Sequence, residues 1–118
     1  MKTTTKDEDN AKRTHELVLT DTNFDSEASE GLVLIDFWAP RCPPCRAQGP
    51  IVDRVAAAIK GKATVAKCDV DKAPKSAERF SVKSIPVLVI MKDNRELDRF
   101  VGLQQEADLI AALKRHIE

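Results

Sequence analysis

Residues 32–38 read LVLIDFW, and the chain then passes through Ala39, Pro40 and Arg41 into Cys42-Pro43-Pro44-Cys45. A nearly continuous apolar run, rich in branched and aromatic side chains, predicts a central strand covered on both faces. Beyond the cysteines Ile51, Val55 and Ile59 recur every fourth residue, and Val52 with Ala56 widens the stripe. That spacing predicts a helix from within the PPC segment to near Lys60, packed along one side. With 63–69 (ATVAKCD) reading as the next strand, the segment is a βαβ unit, expected to be parallel and right-handed. Pro44 fits the first helical turn, where its missing N–H has no partner to lose; Pro50 predicts a bend, and Gly61 closes the helix.

The flanking elements follow from the same periodicities. Leu17–Leu19 predicts a short strand, and Thr20 and Asp21 offer capping oxygens for a short helix that carries Phe24 and ends near Gly31. A shorter helix is expected from Pro74 to Phe80, a strand from Pro86 to Met91, and a turn over Lys92–Arg95 in which Asn94 takes the left-handed conformation. Leu97–Val101 pairs back as a hairpin, Gly102 breaks it, and a last amphipathic helix carries Leu109, Ile110, Leu113 and Ile117. The expected fold class is α/β: a mixed sheet of about five strands flanked by about four helices, on both faces.

At 118 residues the chain is one domain rather than two. Residues 1–14 show no apolar periodicity and read as a flexible solvated tail, with the folded domain over 15–118. Lys plus Arg is 19 and Asp plus Glu is 19, so no basic excess supports nucleic-acid binding. No apolar run approaches the roughly 18 residues of a spanning helix. Nor does the start of the chain carry the apolar core of an export signal, so a cytoplasmic protein without membrane partners is expected.

Three cysteines make no disulfide framework. Cys42 and Cys45 share a spacing used in redox catalysis and in zinc sites, and their position decides between the two. A cysteine at a helix N-terminus faces free N–H groups and the positive end of the helix dipole, which stabilise a thiolate. Cys42, at or before the first turn and expected to stay exposed, is the attacking thiolate; Cys45, one turn inward and more buried, is the resolving thiol. Zinc would need two further ligands, and Cys68, His15 and His116 offer no second close pair, so no metal is expected. Cys68 reads as strand packing. Asp36 is the anomaly of the central strand, because a buried carboxylate is costly unless paired, hydrated or useful.

VLIDFWAP, the cysteine pair with Pro50 after it, VAKCDVD at 65–71, FSVKSIPVLVIMK at 80–92 and FVG at 100–102 together resemble the thioredoxin family over about residues 15–117. The resemblance implies a protein-disulfide reductase working through a reversible Cys42–Cys45 couple. It implies Asp36 as the proton-exchanging carboxylate for Cys45, Lys67 as the lysine tuning it, and Pro86 as a cis-proline beside the site. Ile85 would pair with substrate backbone, Gly102 would lie on the substrate-facing surface, Trp38 would pack beneath the site, and Pro50 would bend the helix. No cofactor is bound on this reading. Electrons come from NADPH through a separate thioredoxin reductase-like flavoprotein, the partners are disulfide-containing proteins, and the chain is a monomer.

Departures from the family pattern concern the substrate side, which would comprise Arg41, Pro43 and Pro44 as well. Arg41 stands where the family places tryptophan, putting a cation beside the nucleophile that favours the thiolate and acidic flanks. Pro43 replaces glycine, removing an N–H and stiffening the loop. Ser84 and Val87 flank the Ile-Pro pair where glycine and threonine are common. Two other readings stay open: a specialised oxidase or isomerase of higher potential, and a non-catalytic interaction protein on the same fold.

Overall fold

The computed structural model describes residues 16–117; the expected tail over 1–14 and His15 lie outside the described residues. The elements run β1 (Leu17–Leu19), α1 (Phe24–Ala28), β2 (Leu32–Trp38), α2 (Pro43–Ile59), β3 (Thr64–Asp69), α3 (Pro74–Arg79), β4 (Val87–Lys92), β5 (Arg95–Val101) and α4 (Glu106–Lys114). The five strands form one sheet in the order β1-β3-β2-β4-β5. β3 pairs parallel with both β1 and β2, whereas β4 pairs antiparallel with β2 and β5. The sheet is therefore mixed, with β2 at its centre and four helices flanking it. Among the described residues no helix is long and apolar enough to cross a membrane.

Strand alternation sorts the core into two layers. Val33, Ile35 and Phe37 point to one face, where they meet Phe24, Ala28, Phe80, Val89 and Met91. Leu32 and Leu34 point to the other, packing with Val52, Val55 and Ile59 of α2 and with Leu109 and Leu113 of α4. Full burial of each large side chain contributes about 1.5–3 kcal/mol, so β2, buried from Leu32 to Phe37, anchors both layers. Asp36 shares the parity of Leu34, and Lys67 that of Val65; both lie on the α2 face, facing each other in register.

The local chemistry departs from expectation at several points. Thr20 and Asn23 exchange hydrogen bonds: Asn23 Oδ1 accepts from the Thr20 N–H at 2.7 Å and Thr20 Oγ1 from the Asn23 N–H at 3.1 Å. Asp21 serves a different helix from the expected one. Its carboxylate accepts from the N–H and hydroxyl of Ser76, both at 2.8 Å, and from the Lys75 N–H at 3.3 Å, so it caps α3. In the hairpin both Asp93 (φ 49°) and Asn94 (φ 71°) are left-handed, the requirement of a two-residue turn. β5 therefore starts at Arg95, two residues before the expected Leu97, and Leu97 itself is the extra residue of a bulge between Ile90 and Met91. β4 begins after Pro86, and Ile117 packs against the core from beyond the end of α4.

Candidate active site

α2 starts on a cysteine. Cys42 is its N-cap, with extended backbone (φ −104°, ψ 109°), and its Sγ accepts from the Cys45 N–H at 3.2 Å. Pro43 and Pro44 occupy the first two helical positions and neither carries an N–H. The removal of donors thus goes further than Pro43 alone: the Cys45 N–H is the first of the helix, and it is aimed at sulfur. Cys42 and Cys45 are joined as a disulfide, with their Cα atoms 5.2 Å apart.

Cys42 is more deeply placed than expected. It is 7% exposed and Cys45 2%, so the difference between them has the expected sign, but neither is open. The Ile85 carbonyl oxygen lies 3.7 Å from the Cys42 Sγ. The Ile85–Pro86 bond is cis, and the Pro86 carbonyl accepts from the Gly102 N–H at 2.8 Å. Gly102 has φ +91°, a conformation side chains rarely adopt, which accounts for glycine there. The fold thus brings Cys42, Cys45, Ile85, Pro86 and Gly102 to one edge, with Val101 and Leu103 exposed beside them.

Arg41 does not stand free beside the sulfur. Its Nε and Nη2 donate to the two oxygens of Asp71, each at 3.1 Å, in a solvent-exposed fork. Pro43 and Pro44 are exposed, as is Pro50 inside α2.

Beneath α2 lies a buried charge cluster. Asp36 is fully buried, and both its carboxyl oxygens lack a hydrogen-bond partner. Burial pushes its carboxyl up to about 7, the Lys67 charge opposing and Asp53 adding to the rise. Lys67 makes no ion pair with it; its Nζ sits 4.8 Å from the centroid of the Trp38 ring, and a Cβ added at Gly49 would meet Nζ at 3.5 Å, an ordinary van der Waals contact. Glu16 is 4% exposed, and burial followed by a side-chain hydrogen bond with Asp53 pushes its carboxyl up to about 9. Neither Glu16 nor Asp53 was legible as part of the site, although a carboxylate immediately before an apolar strand is a visible anomaly.

Gln48 was also missed. It is fully buried, and its Nε2 donates to the Gln104 carbonyl at 3.0 Å while its Oε1 accepts from the Gln104 N–H at 2.7 Å. The signal was a polar residue four positions before Val52, on the core stripe of α2. Cys68 is a free, fully buried thiol in the layer opposite α2; burial pushes it up to about 12. His116 is tied to Asp98 at 2.8 Å, and among the described residues no group of three or more ligand-type side chains is gathered for a metal.

The thioredoxin family profile matches residues 15–115. Thioredoxin of Staphylococcus aureus (strain Mu50) is 40% identical over 99 residues, covering 84% of this chain and 95% of that protein. The thioredoxin of strain MW2 matches to the same extent. With a profile covering most of its length and relatives sharing two residues in five, the chain belongs to the thioredoxin family, and its Cys-X-X-Cys disulfide makes it a thioredoxin-type thiol–disulfide oxidoreductase.

Proposed function

We propose that this protein reduces disulfides in other proteins, with Cys42 as nucleophile and Cys45 as resolving thiol. The observation that carries the assignment is the asymmetry of the pair: Cys42 caps α2 and receives the Cys45 N–H, whereas Cys45 lies deeper. In the dithiol form, Cys42 thiolate attacks one sulfur of a substrate disulfide, breaking that bond and releasing the first substrate thiolate. The Cys45 thiol then loses its proton to the Asp36 carboxylate and attacks Cys42 Sγ. The mixed disulfide breaks, the second substrate thiolate leaves and takes up a proton, and Cys42–Cys45 remains oxidised by two electrons.

Asp36 suits the proton step because a carboxyl at about 7 exchanges protons at neutral pH. Lys67 tunes it from across the β2–β3 pair, and Trp38 holds Lys67 in place. Substrate docks along Ile85, Pro86 and Gly102, with Arg41, Pro43 and Pro44 on the opposite side. Electrons return from NADPH through a separate flavoprotein reductase, as the family membership suggests, and a cytoplasmic setting matches a reducing couple. Redox equilibration with glutathione tests the direction: a potential near the reducing value of about −270 mV supports it, and one near about −120 mV makes the protein an oxidant.

A further inference from the structure

The disulfide follows β2, whereas the substrate-facing edge comes from the start of β4 and the end of β5, far away in sequence, and the segments are tied together. One tie is visible: Cys42 Sγ lies 3.7 Å from the Ile85 carbonyl, and the Pro86 carbonyl accepts from the Gly102 N–H at 2.8 Å. The circuit closes through Gln48, one turn along α2 from Cys45, which grips the Gln104 backbone by both its N–H and its carbonyl. The Gln104 side chain in turn donates to the Gly102 carbonyl at 3.1 Å. Running from Cys42 through Ile85, Pro86, Gly102, Gln104 and Gln48, the contacts return to the helix that carries the cysteines.

A fully buried glutamine facing a hydrophobic layer is a costly choice for packing alone, since leucine or methionine would fill the same space without desolvating an amide. Its donor and acceptor are both matched, and both go to the segment between β5 and α4 that carries exposed Leu103. A paired amide of this kind fixes one loop position, where apolar packing tolerates sliding.

We propose that Gln48 is a positioning residue for protein substrates: it holds the 102–104 segment at the height above Cys42 that a docked polypeptide requires. The inference rests on the disulfide-reductase reading. It separates recognition from chemistry, because both hydrogen bonds of Gln48 go to the Gln104 backbone and none to Cys42, Cys45 or Asp36.

The test compares a protein disulfide such as insulin with a small one, glutathione disulfide, in Gln48→Met, which keeps the chain shape and removes both hydrogen bonds. KM for insulin should rise by about five- to tenfold with kcat little changed, while the rate with glutathione disulfide stays at the wild-type value. Gln48→Leu also removes both hydrogen bonds while keeping an apolar side chain in the buried position, and should give the same rise; it supplies the answer where the methionine variant does not fold. Equal losses on both substrates, or no change on either, would overturn the positioning role while leaving the reductase intact. Wild-type protein inert toward both would overturn the reductase reading, and the inference with it.

Discussion

Asp36 and Lys67 face each other in register across the parallel β2–β3 pair, yet the lysine reaches past the carboxylate to the Trp38 ring. The acid is thereby left buried without a hydrogen bond while a positive charge remains close enough to restrain it. Full pairing would hold the carboxylate ionised, and full isolation would keep it neutral well above neutrality. The intermediate arrangement places its titration at about 7.

A stability signature follows. In the unfolded chain Asp36 titrates near its ordinary value of 3.8, and in the folded protein at about 7. Between those values the folded state holds the extra proton, so stability falls as pH rises through the window and levels off above it. At about 1.4 kcal/mol per pH unit, Asp36→Asn should gain up to about 4 kcal/mol over wild type above the window and almost nothing below it. Urea unfolding of the oxidised proteins across the window measures this, and a pH-independent difference would refute the buried-acid account. The same variant should slow the resolving step by on the order of 100-fold at neutral pH, read in single-turnover reduction.

Lys67→Met removes the charge that lowers the Asp36 carboxyl. The carboxyl should move higher, and the pH at which the resolving step accelerates should move up with it. A pH–rate profile of single-turnover reduction checks the direction. An unchanged midpoint would show that Lys67 only packs on Trp38.

Arg41 is held by Asp71 rather than presented to the sulfur. Asp71→Asn should release the guanidinium, lowering the Cys42 thiol pKa and favouring peptide disulfides with acidic flanks. Arg41→Ala should do neither. Because the pair is exposed, the preference should fade as salt rises, and rates on acidic and neutral peptides at two ionic strengths decide the matter.

Most of the architecture was legible because its signals are periodic. LVLIDFW reads as a covered strand, and the fourfold recurrence from Ile51 to Ile59 as a packed helix, and both form. The cysteine pair was legible because its place at the strand–helix junction carries the chemistry. Contacts closed by the fold were not. Nothing near Asp21 in sequence points to Ser76, 55 positions away, and Gln48 meets Gln104 across 56. Arg41 reads as a free cation until β3 delivers Asp71. The depth of Cys42 was not legible either, and the Ile85 carbonyl that stands against its sulfur comes from 43 positions away.

Cys68 lies at full burial, with its thiol pushed up to about 12. In reduced native protein iodoacetamide should therefore modify Cys42 first and leave Cys68 untouched until denaturant is added. Mass spectrometry after graded denaturation reads the order. Rapid native labelling of Cys68 would contradict its assignment to packing.

The central claim is that Cys42 attacks and Cys45 releases. Cys45→Ser removes the releasing thiol, so in native extract this variant should accumulate mixed disulfides joined through Cys42 and cleaved by dithiothreitol. Cys42→Ser/Cys45→Ser should accumulate none. Captured proteins attached through Cys42 alone are the predicted result; no adducts from a variant with a reactive Cys42, or adducts that persist without Cys42, would contradict it.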